Sequence, residues 1–395
     1  MSRVAFTALA AALALPALGA EPGSGFNPKI SLILDSQYAA RSVPDSVPAG
    51  IGGFLPGGES EFGPRSFSLG ETELVLESNV DDQWHGWTTI ALAPEGGVGI
   101  EEAYVNTLAL PAGLALKLGR FKSEIGYQNH VHAHAWEFVD APLVYRAFFG
   151  GQYQDDGVQA RWVAPLDLLV ELGAEATRGD AFPGGGAAGN GVGAWTAFLH
   201  AGGDVGEGGS WRAGLSHLQA RARERTTGEV PDDTLFTGTS RVSGADFVWK
   251  WAPGGDHAAT NLVVHAEAFL RHEAGTLLND PSGAANASAY DGDQQGAYVQ
   301  GIWQFMPRWR VGLRYDRLHA DNRVAAPVPG TALATLADDG DDPQRGSVMA
   351  DFSNSEFSRI RVQYSRDASR PGGVRDDQYF VQFVYSLGSH PAHQF

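Results

Sequence analysis

The chain has 395 residues, of which 43% are apolar and only 19% are charged, with 51 Gly and no Cys. Its 10 Trp, 11 Tyr and 20 Phe exclude a disordered chain, because so many aromatic side chains bury enough apolar surface to fold. The absence of Cys excludes a disulfide framework and thiolate metal sites. The net charge of −18 argues against nucleic-acid binding and favours cations over anions as partners.

The first element in chain order is a predicted signal peptide, residues 1–20. Arg3 begins a short positive region, an apolar run extends from Val4 to Leu15, and small residues precede an expected cleavage near Ala20. The run is too short to cross a bilayer as a helix, and no later stretch reaches about 18 consecutive apolar residues. The mature chain, residues 21–395, is therefore predicted to be exported.

The mature chain alternates polar and apolar residues in segments of about 10 to 13 residues, separated by Gly, Pro and Asp. One such segment alternates Val311 and Leu313 with Arg310, Gly312 and Arg314. Strands of a soluble sandwich usually have five or six residues, which is shorter than these segments. Sixteen strands are predicted, beginning near Lys29, Ser66, Trp84, Val98, Gly113, Gln154, Leu166, Asn190, Ser210, Ser240, Thr260, Tyr290, Arg308, Arg345, Glu356 and Gln378.

The connections between these strands alternate in length. Every second connection is short, such as Met306–Arg308, whereas most of the others are long and polar, such as Arg41–Arg65 and Ala320–Gln344. Short turns on one side and long loops on the other are typical of an outer-membrane barrel. Eight Trp flank the short turns, as an aromatic girdle requires: Trp84, Trp87, Trp162, Trp211, Trp249, Trp251, Trp303 and Trp309. The sequence therefore predicts an all-β fold, a transmembrane antiparallel β-barrel of about 16 strands (about 14 to 18) over residues 21–395.

A barrel of this size encloses an aqueous lumen, because about eight strands already fill their interior with side chains. Charged residues on the second face of the strands would line that lumen, and its carboxylates would favour cations. The alternative is that these carboxylates pair with arginines and organise the wall. The predicted pore-lining residues are Glu71, Glu73, Glu171, Glu175, His265, Glu267, Arg314 and Arg361.

The third external loop, residues 125–153, is more aromatic and apolar than the other long loops, and we expect it to fold into the barrel. Within it, His130, His132 and His134 occupy alternate positions, so in an extended segment all three imidazoles would project to one side. Such a set coordinates Zn²⁺ or a similar ion, with Glu137 or Asp140 as an oxygen ligand. A structural, hydrogen-bonding role for these histidines is the alternative. No organic cofactor is expected.

The carboxyl end supports export to the outer membrane. Large apolar residues occupy every second position at Tyr379, Val381, Phe383, Tyr385 and Leu387, and the chain ends in Phe395, an aromatic residue of the kind that the outer-membrane assembly machinery recognises. The predicted partners are the lipid bilayer and lipopolysaccharide, this machinery, and small solutes or metal ions, with a homotrimer as one option and no nucleic acid.

Several segments resemble the zinc-regulated porins of Gram-negative outer membranes, most of all the block HAHAWEFVDAPLVYRAFFGGQYQDDGVQARW. The resemblance implies passive or facilitated uptake linked to zinc supply. A more distant similarity to phosphate-selective porins concerns the fold, but those channels are lined by Lys and Arg, and this chain has only four Lys.

Two rival functions differ in class from a channel. An enzyme is not expected, because the chain has no Gly-x-Ser-x-Gly motif and no Gly-rich phosphate loop. A sealed barrel that acts as a structural protein, an adhesin or a metal-binding surface protein is the other alternative. Conductance in planar bilayers would separate the sealed barrel from a channel.

Overall fold

The computed structural model of the protein describes residues 28–47, 50–55, 57–58, 60, 63–92, 97–186, 189–227, 233–279, 286–326, 333, 336 and 342–388. Within these ranges, no helix combines the length and the apolar composition needed to cross a membrane. The expected signal peptide (residues 1–20), its cleavage near Ala20 and the terminal Phe395 lie outside the described residues.

One antiparallel sheet contains every strand of the described chain. The strands are β1 Lys29–Arg41, β2 Ser66–Leu69, β3 Thr72–Asn79, β4 Trp84–Leu92, β5 Val98–Thr107, β6 Leu114–Lys122, β7 Gln154–Val163, β8 Leu169–Thr177, β9 Ala194–Val205, β10 Gly209–Thr227, β11 Thr234–Trp251, β12 Asn261–Asn279, β13 Asn286–Met306, β14 Trp309–Val324, β15 Gln344–Ser355, β16 Ser358–Ala368 and β17 Asp376–Gly388.

The sheet closes into a barrel because β17 pairs with β1, from Ser31 opposite Gly388 to Arg41 opposite Gln378. Both β2 and β3 pair with β1 and are separated only by Gly70 and Glu71, so these two segments form one interrupted barrel strand. The 17 segments therefore make a barrel of 16 strands. This confirms the predicted antiparallel barrel of about 16 strands.

The barrel is apolar outside and polar inside, the reverse of a soluble protein. In β14, Val311, Leu313 and Tyr315 face outward, where Leu313 is 67% exposed, whereas Arg314 and Asp316 face inward and are buried. Successive residues of a strand point to opposite faces, so the alternation in the sequence translates directly into this arrangement. It is the arrangement that a barrel needs when its outer face meets hydrocarbon and its inner face meets polar groups.

Several strands differ from the prediction in length and in starting point. β12 has 19 residues and β13 has 21, against about 13 at most in the sequence-based prediction. β11 begins at Thr234, six residues before the predicted start near Ser240. These strands continue past the apolar belt, where outward positions such as Thr237 and Arg241 are polar. Because the outward residues there are polar, the outward apolar positions on which the prediction depends are lost.

The segment between β6 and β7, residues 123–153, folds into the barrel and is called the inner loop below. It contains two 3₁₀ turns, Gln128–His130 and Ala133–Ala135, and a short helix α1, Leu143–Phe149. All seven helix residues are buried, and Gly150 ends the helix in the left-handed conformation at φ 63°. The helix packs in one apolar cluster with wall residues Phe269, Tyr298 and Leu318. The prediction that the third external loop folds inward is therefore confirmed.

Candidate functional site

The inner loop is fixed to the barrel wall at Asp140. Its carboxylate accepts hydrogen bonds from Arg314 at 2.7 Å, from Arg345 at 2.5 Å and from Gln363 at 2.9 Å. The neighbouring Asp316 accepts the N–H of Leu143 at 2.8 Å, at the first turn of α1. Burial alone would raise the pKa of Asp140, but Arg345 and Arg314 outweigh it and hold this pKa well below its usual range. Asp140 therefore anchors the loop as a permanent anion.

Glu267 of β12 forms a second anchor, two strands away from Arg314 of β14. It accepts the backbone N–H groups of Tyr127 at 3.0 Å and Gln128 at 2.9 Å, and the hydroxyl of Tyr145 at 2.8 Å. His265 lies 2.9 Å from the same carboxylate. Backbone donors of a buried loop need such acceptors, because no water reaches them. His265 and Glu267 thus face the interior: Glu267 holds the loop, and His265 also borders a smaller cavity.

The other predicted pore-lining residues also face the interior. Glu175 accepts hydrogen bonds from Ser123 at 2.5 Å and from the backbone N–H of Glu124 at 3.0 Å. Arg361 donates to the carbonyl of Trp136 at 2.9 Å and pairs with Asp351 at 3.2 Å. The remaining contacts are Glu171 with His200 at 3.3 Å and Arg314 with Asp316 at 3.1 Å, while Glu71 borders the cavity on the long-loop side. The pairing with arginines that was the alternative is seen for Glu171, which lies 3.9 Å from Arg161, whereas Glu175 and Glu267 are held by other donors of the inner loop.

The three alternating histidines do not share one side of the chain. His130 ends the first 3₁₀ turn and lies 3.7 Å from Glu124, apart from the other two. His132 and His134 stack with ring centroids 5.6 Å apart. The reason is the local conformation: the segment is not one extended strand, because one 3₁₀ turn ends at His130 and a second contains His134. Burial lowers the pKa of His130 to about 4, so this ring is neutral at pH 7.

Glu137 and Asp140, the two oxygen ligands considered from the sequence, lie away from His132 and His134 and pair with arginines. Glu137 contacts Arg310 at 2.8 Å, and Asp140 is the anchor described above. The carboxylate that approaches both histidines is Glu73 of β3, at 2.8 Å from Nδ1 of His134 and 3.2 Å from Nδ1 of His132. One ligand atom from each of Glu73, His132 and His134 lies within 4.8 Å of the others.

Two further carboxylates of this cluster, Glu101 and Glu102 of β5, were missed by the sequence analysis. Glu102 lies 3.0 Å from Nε2 of His132, and Glu101 lies 3.4 Å from its Nδ1. Adjacent residues normally point to opposite faces, but the register between β4 and β5 shifts at Thr89 and Ile90. The extra residue lets both carboxylates turn inward, where they are buried. The Glu-Glu pair in an alternating strand was the available signal.

Two cavities lie on either side of the inner loop. The loop-side cavity, on the side of the long loops, has a volume of about 830 Å³ and borders Glu71, Glu101 and Ala133. The turn-side cavity, on the side of the short turns, has a volume of about 1070 Å³ and borders His134, Glu137 and Arg359. Since residues 133–137 of the inner loop border both cavities, the cluster of Glu73, His132 and His134 lies between them.

The two cavities carry opposite charge. Seven carboxylates and four arginines border the loop-side cavity: Asp35, Glu71, Glu101, Asp140, Asp155, Asp180 and Glu224, with Arg41, Arg120, Arg146 and Arg225. Two carboxylates and four cations border the turn-side cavity: Glu137 and Glu356, with Lys250, Arg308, Arg310 and Arg359. The carboxylates expected in the lumen therefore predominate on the long-loop side, whereas cations predominate on the short-turn side.

Solved structures with a similar fold are outer-membrane proteins. The loop L8 deletion mutant of OmpT from Vibrio cholerae superposes with a TM-score of 0.56 and 11% identity, covering 91% of this chain and 99% of that one. The trimer form of OmpT gives a TM-score of 0.52 at 12% identity, with 91% and 99% covered. OprB of Pseudomonas putida gives 0.50 at 12% identity, with 91% and 94% covered. At these identities the similarity concerns the fold.

Among sequences, an uncharacterized protein of Aquifex aeolicus (strain VF5) is 31% identical over 398 aligned residues. The alignment covers 94% of this chain and 80% of that protein. No protein-family model matches the chain. Because the identity extends over nearly the whole chain, the protein belongs to the same family as this uncharacterized Aquifex aeolicus protein.

Proposed function

We propose that the protein is an outer-membrane channel of the porin type, through which small solutes cross passively. The observation that carries the proposal is the closed barrel of 16 strands with an apolar outer face and two cavities inside it. Within lipid, every backbone N–H and C=O must be paired internally, and a closed sheet satisfies this without an edge. An interior polar on both sides of the inner loop suits solutes that carry their own water.

The outer surface supports placement in a bilayer. Large apolar side chains face outward on most strands, for example Leu172 of β8, Val299 of β13 and Val381 of β17. A soluble monomer rarely exposes an apolar surface of this extent. Trp162, Trp251, Trp303 and Trp309 are exposed beside the short turns, where an aromatic girdle would meet the headgroups. We infer that the long loops and lipopolysaccharide share the outer side and that assembly requires the outer-membrane machinery.

The charge of the two cavities supports a preference that depends on the side of entry. The acidic border of the loop-side cavity concentrates cations there, whereas the basic border of the turn-side cavity concentrates anions. We therefore propose a cation preference at the outer mouth. The link to zinc supply that the family resemblance implies stays a prediction, as does assembly into a homotrimer.

Electrical recording tests the channel directly. Purified protein, refolded in detergent and added to planar lipid bilayers, is expected to give discrete current steps in 1 M KCl. Under a salt gradient across the bilayer, the sign of the reversal potential is expected to indicate cation selectivity when the outer mouth controls which ions enter. Replacing Asp180 and Glu224 with Asn and Gln is expected to reduce that potential. Asp342→Asn serves as control, because Asp342 pairs with Arg317 and His319 outside both cavity linings.

A sealed barrel remains the second candidate, and the inner loop favours it. Helix α1 fills part of the interior with an apolar cluster in which Leu143, Val144 and Phe148 are fully buried. If folded protein inserts into bilayers and carries no current, the barrel is sealed and the channel proposal is wrong. Folding is verified independently by the slower gel mobility that the protein gains after boiling.

A further inference from the structure

The cluster between the two cavities contains buried polar atoms without a hydrogen-bond partner. These atoms are Oε2 of Glu73, Oε2 of Glu101 and Nδ1 of His132. Nδ1 of His132 lies 3.2 Å from the first oxygen and 3.4 Å from the second. Buried polar atoms nearly always have a hydrogen-bond partner, because an unsatisfied one destabilises the fold. Three such atoms that converge on one point indicate a missing positive group.

The orientation of His132 favours a metal ion as that group. Its Nε2 lies 3.0 Å from Oε2 of Glu102, so this nitrogen donates its hydrogen to the carboxylate. In the neutral imidazole the lone pair is then on Nδ1, which faces Glu73 and Glu101. A carboxylate behind the distal nitrogen of a histidine is the usual support of a metal-ligating imidazole.

A second imidazole completes the set. Nδ1 of His134 lies 2.8 Å from Oε1 of Glu73, and the carbonyl of His134 accepts a hydrogen bond from Arg359 at 2.6 Å. Glu73 is fully buried on β3, so its carboxylate is held between the two rings by the barrel wall. Imidazole and carboxylate together suit Zn²⁺ and neighbouring divalent transition metals.

The charge balance agrees with a divalent cation. Glu73, Glu101 and Glu102 are buried, and among the described cations Lys122 contacts the carboxylate of Glu101. With neutral imidazoles, three carboxylates and one ammonium leave two negative charges in a region of low dielectric. Buried charges without compensation are strongly unfavourable.

We propose that Glu73, His132 and His134, with Glu101 as a further oxygen ligand, form a binding site for one divalent transition-metal cation at the junction of the two cavities. The site rests on the proposed channel function only for its consequence, which is control of ion passage. Glu101 borders the loop-side cavity and His134 borders the turn-side cavity, so an ion held by both would lie between the two cavities. Divalent metals thereby become the cation class that the lumen recognises.

Metal binding is measured first in detergent, without any reference to conduction. Protein stripped with a chelator is titrated with ZnCl₂ by calorimetry, and with CoCl₂ by absorption spectroscopy, where a site with nitrogen and oxygen ligands gives visible bands. We expect one ion per chain. Substituting His132 and His134 together with Gln is expected to abolish stoichiometric binding. Glu102→Gln, which keeps the ligands and removes the support, is expected to weaken binding about 10- to 100-fold.

His130→Gln is the matched control, because His130 belongs to the same loop but lies half-buried beside Glu124, in a separate cluster. It is expected to bind Zn²⁺ as the unmodified protein does. Absence of stoichiometric Zn²⁺ binding in the folded unmodified protein overturns the proposal and leaves His132 as a protonated ion-pair partner. Equal binding by the His132→Gln, His134→Gln double variant overturns it as well.

Electrical recording separates this proposal from the channel proposal. With both correct, micromolar Zn²⁺ reduces the current of the unmodified protein and of His130→Gln, but not of the double variant. Binding in detergent without any current refutes the channel and supports the metal site. Current without binding refutes the metal site and supports the channel.

Discussion

Asp140→Asn is expected to loosen the inner loop without unfolding the barrel. The substitution keeps the shape of the side chain and removes its charge, which Arg314 and Arg345 contact at 2.7 and 2.5 Å. Both guanidinium groups are almost fully buried, at 1% and 0% side-chain exposure. They retain Asp316 and the backbone carbonyls of Asp140 and Ala141 as partners.

The magnitude follows from these contacts. A hydrogen bond to a charged group contributes about 1.5 to 3 kcal/mol, and Asn preserves one neutral acceptor where Asp140 offered two charged ones. Docking of the loop is therefore expected to lose about 2 to 3 kcal/mol. Since each 1.4 kcal/mol is a factor of ten, the undocked population rises about 30- to 150-fold.

Hydrogen–deuterium exchange measures this population. A peptide that covers α1, Leu143–Phe149, is followed by mass spectrometry in detergent, and its exchange is expected to accelerate by the same factor. Asp342→Asn is the control, because the partly exposed pairs of Asp342 contribute only about 0 to 1 kcal/mol. Equal exchange of α1 in Asp140→Asn and in the unmodified protein would refute the assignment of Asp140 as the anchor.

Three further outcomes are expected. The pKa of Asp140 is held below the unfolded value near 3.9, so the stabilisation by its charge is fully present above about pH 4 and is lost only as pH falls through the folded value. Hydrogen exchange of α1, corrected for intrinsic rates, should therefore be equal at pH 7 and pH 5. A loss of protection at pH 5 would contradict this. Leu313→Arg places a charge on the apolar belt and should reduce the free energy of unfolding in lipid vesicles by about 2 to 4 kcal/mol, whereas an unchanged value would show that Leu313 does not face lipid. Gly126→Ala adds a Cβ that overlaps the Glu267 carboxylate and the Tyr145 hydroxyl at a φ of 77°, so denaturant unfolding should show a larger loss than for Gly254→Ala, whose φ is 65° and whose Cβ meets open space; equal losses would contradict the close approach.

The barrel could be predicted from the sequence because its apolar outer face and polar inner face make apolar and polar residues alternate along each strand. Leu313 beside Arg314 in a segment longer than a sandwich strand has few other interpretations. The strand ends were harder to predict, since the outward residues Thr237 and Arg241 of β11 lie beyond the apolar belt and are polar, so the pattern of outward apolar residues ends before the strand does. Loop parity and the Trp positions compensated for this, because they depend on topology and not on the hydrophobicity of a single residue.

The site could be predicted only in part. The sequence pointed to the histidines of the inner loop, but it could not show that 3₁₀ turns separate His130 from His132 and His134. The partners of these rings, Glu73 and Glu101, come from strands far away in the sequence, and a shifted register turns Glu101 inward. Such pairings depend on how the sheet closes, which no local pattern encodes.

The unequal strand lengths have a consequence for the cell surface. At about 3.4 Å per residue and a tilt of about 40°, the 21 residues of β13 rise about 55 Å, against an apolar belt of about 25 Å. Strands β4 to β8 have only 9 or 10 residues and end near the belt. The rim of the barrel on the long-loop side is thus high at β10 to β14 and low at β4 to β8. A peptide tag placed after Asn279, at the end of the long strand β12, would be displayed to antibodies well above the membrane surface.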